Sequence, residues 1–206
     1  MVTWIADWAI LPALLAGVTG TLLVVLDDRR AVLGILAGQY LCAAWLVGLA
    51  LPLSIAAAKL VAGLMACGAL ALSVAALRWR SPEVQAGALP SGHAFRLVAA
   101  GMVATVAVGL GLGNWMSLPG ITAPGILGST LLMGLGLLQI GITEEPLRVG
   151  AGLLTLLSGF EIAYSSIEPS LAVVALLAAV HLGIALVVSY LLLVVRDERP
   201  IPEGGG

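Results

Sequence analysis

The chain has 206 residues, of which 61% are hydrophobic and only 10% are charged, and its formal net charge is -2. A soluble domain carries about 25% charged residues, so this composition excludes an ordinary water-soluble protein and indicates a chain solvated by lipid. It also offers no basic surface for nucleic acid. The two cysteines, Cys42 and Cys67, lie in apolar runs, and we interpret them as buried thiols rather than a disulfide or metal site.

A helix needs roughly 20 apolar residues to cross the hydrocarbon core of a bilayer. Seven stretches meet this demand, and we predict transmembrane helices over about 8–26, 31–51, 53–77, 95–113, 124–143, 147–167 and 169–195. The first run is too long for a typical signal-peptide core and lacks a basic segment before it, so we expect a retained helix. Residues 196–206 are expected to form a disordered cytoplasmic tail.

The positions of the basic residues predict the orientation of these helices. Eight of the nine Lys and Arg residues fall near predicted helix ends, and seven spans place all eight on one side: Arg29, Arg30, Arg78, Arg80, Arg96, Arg148, Arg196 and Arg199. The positive-inside rule then puts the N-terminus outside and the C-terminus in the cytoplasm. The predicted fold is an all-α bundle of seven transmembrane helices, multi-pass in the inner (plasma) membrane of the cell.

Small residues are frequent in the predicted helices, with 26 glycines in the chain. Gly34 and Gly38 stand one helical turn apart in the second helix. Small residues let helices approach closely in lipid, which indicates a tight bundle or contact with neighbouring subunits. The sequence shows no internal repeat of the kind that inverted-repeat transporters carry.

Three ionisable residues interrupt the apolar helices: Lys59 in the third, Glu161 in the sixth and His181 in the seventh. Each costs at least about 2.5 kcal/mol in hydrocarbon, so such residues usually mark an ion path or a partner. The sixth and seventh helices form a hairpin in which Glu161 and His181 are offset by about 6 Å, allowing direct contact or a bridging water. Other interpretations stay open: Lys59 could reach the outer interface, Glu161 could be a protonated structural carboxyl, and His181 a packing residue.

Polar residues of the sixth helix recur every three or four positions and therefore share one face: Thr155, Ser158, Glu161, Ser165 and Glu168. We expect this face to line the bundle interior, a hydrated cavity or another subunit, with Gln39 of the second helix as a further buried polar group. His93 is interpreted as interfacial, and Glu144 and Glu145 as solvated loop charges beside Arg148. The sequence contains no catalytic triad, phosphate-binding loop, haem ligand pair or cysteine cluster. We therefore assign no catalytic residue, cofactor or metal ligand.

The stretch Arg148 to Leu193, which includes GFEI around Glu161 and AAVHLGIAL around His181, resembles subunit K of NADH-quinone oxidoreductase. It is also similar to the equivalent small subunit of Mrp-type antiporters and to hydrogenase-4 component E. That family carries a G-φ-E-φ pattern in one helix, where φ is apolar, and an acidic residue in the next. Glu161 matches the first position, while His181 stands where the second carboxylate would be. In the longer members a lysine occurs in an earlier helix, as Lys59 does here.

The resemblance covers less than a third of the chain and implies a non-redox membrane subunit of an ion-translocating complex, with antiporter-like membrane subunits and lipid as partners. Glu161, His181, Lys59 and Gln39 would then belong to an intramembrane proton path. Histidine could still serve in a relay, since its unperturbed pKa is about 6.5. The shorter turn between the last two helices also departs from subunit K. The alternatives are a purely structural subunit and a stand-alone transporter of ions or small solutes.

Overall fold

The structure, a computed structural model, describes residues 3–80, 92–112, 122–165, 167 and 170–197. Within these ranges the chain forms seven α-helices: α1 Thr3–Val25, α2 Arg29–Ala50, α3 Leu53–Arg80, α4 His93–Leu112, α5 Ala123–Ile142, α6 Pro146–Ser165 and α7 Leu171–Asp197. The all-helical prediction is therefore confirmed for the described part of the chain. The helix α1 begins earlier than predicted, and α7 continues to Asp197, so the first two residues of the expected tail are helical; 198–206 lie outside the described residues.

Six of the helices, α2 to α7, are long and apolar enough to cross a membrane. In α1 the apolar stretch of described residues covers Ile10–Val25, which is shorter than the roughly 20 residues that a full span requires. The length and composition of these helices are those of a multi-pass membrane protein.

Local sequence explains where several helices begin and end. The side chain of Asp28 caps α2 by accepting a hydrogen bond from the backbone N–H of Arg30 at 3.1 Å. Thr122 caps α5 in the same way, accepting from the N–H of Gly125 at 3.3 Å. Pro146 opens α6 at a position where a missing N–H costs nothing. Pro52, which cannot continue a helix, separates α2 from α3.

The helix α6 lies in the middle of the bundle, where it contacts α1, α2, α5 and α7. Buried residues make up 61% of its span, against 22% in each of α4 and α7. The helix α3 packs against α2 and α7, while α4 packs against α5 and α1. The polar face of α6 is therefore turned toward protein rather than toward lipid.

Glycines bring the backbones of α5 and α6 into contact. A methyl group added to Gly136 would lie 2.6 Å from the backbone nitrogen of Leu156, and one added to Gly159 would lie 2.8 Å from that of Met133. By contrast, nothing lies within 4 Å of such a group at Gly34 or Gly38. Those two glycines do not serve packing against any of the described residues.

At one end of the bundle the start of α2, the start of α4 and the start of α6 meet the short connection that follows α1. Here Arg29, Arg96 and Arg148 form ion pairs with Asp27 and Glu145. We call this the arginine-rich end. It joins four helices and the α5–α6 connection through charged side chains.

Candidate functional site

A lysine, a glutamate and a histidine from three helices meet inside the bundle. Lys59 Nζ of α3 lies 3.5 Å from Glu161 Oε2 of α6, and His181 Nδ1 of α7 lies 3.5 Å from Glu161 Oε1. Their side chains are only 8%, 9% and 3% exposed. We call these three residues the Glu161 cluster.

Helix packing explains how residues so far apart in sequence meet. The helix α7 contacts both α3 and α6, so His181 stands between two helices that present Lys59 and Glu161 to it. Glu161 lies about one turn before the last residue of α6, and Lys59 lies less than two turns after the first residue of α3. The cluster therefore occupies the half of the bundle away from the arginine-rich end.

Lys59 turns into the bundle. Its ammonium nitrogen is paired with Glu161, and the side chain is 8% exposed. The separation of 3.5 Å exceeds the 2.7–2.9 Å that is typical of a charge-assisted N–H···O bond. The pair is thus an electrostatic contact without a tight hydrogen bond, and either group could exchange its partner for a water molecule.

The imidazole of His181 is held by a hydrogen bond within α7 and by an aromatic contact with α2. Nδ1 lies 3.0 Å from the carbonyl oxygen of Leu177, one turn earlier in α7, which assigns the proton to Nδ1 and makes it the donor. Nε2 is buried and has no hydrogen-bonding partner among the described residues. The ring of Tyr40 packs edge-on against the imidazole, with centroids 5.6 Å apart. The cluster thus places the Glu161 carboxylate between an amine and an imidazole.

Further buried polar side chains lie along α6 on both sides of Glu161. Gln39 of α2 donates from Nε2 to Thr155 Oγ1 at 3.1 Å, and both residues are fully buried. Ser158 and Ser165 are also buried and donate to carbonyl oxygens of their own helix, those of Leu154 and Ile162. The predicted polar face of α6 thus lies in the interior from Thr155 to Ser165. Glu168, the last member predicted for this face, lies outside the described residues.

The arginine-rich end holds a separate charge network around Asp27. Arg96 and Arg148 each donate from Nη1 to Asp27 Oδ1, and His93 Nε2 lies 3.2 Å from Asp27 Oδ2. Both arginine side chains are almost fully buried, whereas that of Asp27 is 40% exposed. Arg148 also donates from Nη2 to the carbonyl oxygen of Val24 at 2.8 Å. One carboxylate therefore joins the end of α1 to the beginnings of α4 and α6.

The electrostatic surroundings of Asp27 change its pKa. Partial burial acts to raise the pKa, but the hydrogen bond from Arg96 and the positive charges of Arg148, Arg96 and His93 outweigh it. The net effect is a pKa below the ordinary value of 3.8. Asp27 therefore stays ionised well into the acid range.

The sequence did not single out the members of this network as partners. It placed Glu144 and Glu145 in solvent beside Arg148, but Glu145 Oε1 accepts from Arg29 Nε at 2.8 Å, and Arg148 pairs with Asp27 instead. The sequence signal for this network was Asp27, an acidic residue directly after an apolar helix. That signal does not show which of several arginines, far away in sequence, pair with Asp27.

The two cysteines are free thiols, Cys42 partly buried and Cys67 buried. In the ranges that the structure describes, no group of three or more His, Cys, Asp and Glu residues is placed to hold a metal ion.

No protein-family model, curated protein or solved structure matches the chain.

Proposed function

We propose that the chain is a non-redox membrane subunit of a larger ion-translocating complex, of the kind represented by complex I, group 4 hydrogenases and Mrp-type antiporters. The Glu161 cluster would belong to an intramembrane proton path in that complex. The observation that supports this most is the convergence of a carboxylate, an amine and an imidazole from three apolar helices. Ionisable groups inside a membrane protein are costly and usually serve transport or proton transfer.

The cluster can hold a proton in more than one place. Glu161 is balanced by Lys59 when ionised, and a proton arriving on Glu161 leaves the positive charge of Lys59 without a partner. When the ring of His181 carries its hydrogen on Nδ1 alone, Nε2 is a second proton acceptor, and it has no partner among the described residues. A change of charge in a neighbouring subunit would then shift the balance between these states and move the proton.

Further polar groups extend the path toward the arginine-rich end. Gln39 Oε1, Tyr40 Oη and His181 Nε2 are buried without a hydrogen-bonding partner in the described part of the chain. Buried polar groups of this kind are commonly satisfied by internal water. Beyond Thr155, the buried face of α6 carries Ala151 and Gly152, so the polar path is interrupted before Arg148. Proton transfer over this part would require transient hydration.

The proposal also includes the orientation of the chain in the membrane. Arg29, Arg96 and Arg148 meet at one end of the bundle, which supports seven spans with a cytoplasmic C-terminus and an external N-terminus in the inner (plasma) membrane. The partners would be antiporter-like membrane subunits, together with lipid. No cofactor is assigned to this chain.

The test begins with purification of the native protein in mild detergent and identification of the subunits that accompany it. The assembly is then reconstituted in vesicles, and proton uptake is followed with a pH-sensitive dye. We expect Glu161→Gln to reduce uptake at least about tenfold, since general proton transfer by one group contributes 10²-fold or more. The control is Asp28→Asn, which changes an exposed carboxylate in the same way and keeps a capping side chain on α2. Full uptake by the Glu161→Gln assembly would contradict the proposal.

One observation favours a purely structural subunit as the second candidate. Gly34 and Gly38 stand one turn apart on α2 with open space in front of them, which suits close contact with a helix of another subunit. In that case Glu161→Gln and His181→Ala would leave proton transport unchanged, while bulky residues at the two glycines would release the partners. Ion or solute flux by the chain reconstituted alone would instead favour a stand-alone transporter.

A further inference from the structure

A groove of about 560 Å³ runs between α6 and α7 on the outside of the bundle. Its walls are apolar side chains of both helices, and Glu144, in the α5–α6 connection, is the one charged residue among the described residues that line it. Apart from Glu144, the walls include Val149, Leu153, Gly183, Val187 and Leu191.

Two glycines shape this groove. A methyl group on Gly150 would lie 2.5 Å from Val188 Cγ2, so α6 and α7 touch at this point and close the floor. A methyl group on Gly183 would meet nothing within 4 Å, so the missing side chain of α7 leaves the space above the floor open. The contact at Gly150 thus forms the floor of the groove, and the absence of a side chain at Gly183 leaves its interior open.

The length of the groove matches one leaflet of a bilayer. Along α7 it extends from Val180 to Leu191, about 16 Å at 1.5 Å per residue. The hydrocarbon core is about 30 Å thick, so one leaflet contributes about 15 Å. The exposed side chains of Val180, Val187 and Leu191 show that the groove opens to the outside of the bundle. An acyl chain lying along the helices has the length and polarity that this space requires.

Glu144 gives the mouth of the groove a negative charge. It lies in the α5–α6 connection at the arginine-rich end and is exposed. Its neighbour Glu145 is neutralised by Arg29, whereas Glu144 forms no ion pair with any described residue. A carboxylate at the membrane boundary attracts a cationic head group and repels an anionic one. A primary ammonium can also donate hydrogen bonds to it, which a quaternary ammonium cannot.

The geometry points to a binding site for a phospholipid with a primary amine head group, the phosphatidylethanolamine class, in the leaflet at the arginine-rich end. One acyl chain lies in the groove between α6 and α7, and the ammonium contacts Glu144. This site is separate from the Glu161 cluster and does not depend on the proposed proton path.

The test is native mass spectrometry of the delipidated full-length chain titrated with three phospholipids that have the same acyl chains. Their head groups are ethanolamine, choline and glycerol. For the wild-type chain we expect ethanolamine lipid to bind about threefold to fivefold more tightly than choline lipid, within the range of a single hydrogen bond, and glycerol lipid to bind more weakly still. Glu144→Gln should weaken the binding of ethanolamine lipid most and that of choline lipid less, and so reduce this preference, because the neutral amide attracts neither ammonium.

A second variant tests the groove independently of its charge. Gly183→Leu fills the open space without a backbone clash and should weaken the binding of all three lipids at least about tenfold. The matched control is Gly101→Leu on α4, where an added side chain also meets nothing within 4 Å, and it should bind lipid like the wild-type chain. Helical content and elution volume establish that both variants are folded.

Three results would overturn the proposal. Equal binding of ethanolamine and choline lipids by the wild-type chain would show that Glu144 does not select the head group. Unchanged lipid binding by folded Gly183→Leu would show that the acyl chain does not lie in the groove. Disulfide-linked dimers of a Val187→Cys variant in native membranes would show that a second copy of the chain covers the groove instead.

Discussion

Lys59 Nζ lies 3.5 Å from Glu161 Oε2, although the helix that carries Lys59 packs against α2 and α7 rather than against α6. The two side chains therefore meet across the interior, and both are more than nine-tenths buried. The environment that makes this pair costly to form also makes it costly to break, since a lone buried charge has neither water nor a counter-ion.

A double-mutant cycle measures this coupling. Glu161→Gln leaves the Lys59 ammonium without its partner and should lower the free energy of unfolding by about 3 kcal/mol. Adding Lys59→Met removes the remaining charge, so the double variant should lie within about 1 kcal/mol of the wild-type chain. Chemical denaturation in detergent micelles provides the four free energies, those of the wild-type chain, the two single variants Glu161→Gln and Lys59→Met, and the double variant. Additive losses in the double variant would show that the two residues do not stabilise each other.

The Asp27 network predicts a dependence of stability on pH. Because the folded-state pKa of Asp27 lies below its ordinary value of 3.8, its contribution is fully present above about that pH and is lost as the pH falls through the folded-state pKa. At pH 7, Asp27→Asn should lower the stability because Arg96 and Arg148 lose their shared carboxylate.

The measurement is thermal denaturation in detergent from pH 7 to pH 2.5 for the wild-type chain and Asp27→Asn. The difference in Tm should be constant down to about pH 4 and then shrink. A difference that stays the same at pH 2.5 would mean that the charge of Asp27 does not hold the two arginines.

The contact between α5 and α6 predicts the effect of a single methyl group. Gly136→Ala would place a carbon 2.6 Å from the backbone nitrogen of Leu156. The helices would have to separate, at a cost of about 2 kcal/mol by analogy with overpacked cores. Gly141→Ala on the same helix is the matched control, because nothing lies within 4 Å of the added carbon.

Gly136→Ala should therefore lower the free energy of unfolding relative to the wild-type chain, whereas Gly141→Ala should leave it unchanged or raise it slightly. Alanine is the better helix former by up to about 1 kcal/mol, which allows Gly141→Ala to be neutral or slightly stabilising. Equal effects of the two substitutions would show that α5 and α6 are not in backbone contact at Gly136.

Gly34 and Gly38 lie on a face of α2 that contacts no described residue, so substitutions there should affect binding of other subunits without affecting folding of this chain. Gly34→Leu and Gly38→Leu introduce side chains into open space, so the isolated chain should keep its Tm. If a helix of another subunit docks on this face, the same variants should lose their co-purifying subunits. Gly109→Leu on α4, equally open, serves as the control for a bulky residue elsewhere on the surface. A fall in Tm of the isolated chain would place the two glycines within the fold instead.

Much of the helical architecture was predictable from the sequence. Each predicted span overlaps one observed helix, and the ends agree most closely where a capping residue or proline marks them, as at Pro52, Thr122 and Pro146. The beginning of α1 was predicted least well, since the polar residues Thr3 and Asp7 interrupt the apolar run without ending the helix.

The members of the candidate site were also named from the sequence, because charged and polar residues are conspicuous among apolar ones. What the sequence left open was their arrangement. It allowed Lys59 to reach the interface and Glu161 to meet His181 through water, and it did not select Tyr40 or Asp27 at all. The structure pairs Lys59 with Glu161, places Tyr40 against His181 and gives Asp27 two arginines.

The sequence by itself determined that this chain is a bundle of apolar helices with a few polar residues inside. A helix in lipid must satisfy its own backbone hydrogen bonds over a set length, and a window of about 20 residues contains that information. Only the tertiary structure decided which polar residues meet. Lys59 with Glu161 and Gln39 with Thr155 are each separated by more than a hundred residues, and helical periodicity shows which face a residue occupies but not which helix packs against that face.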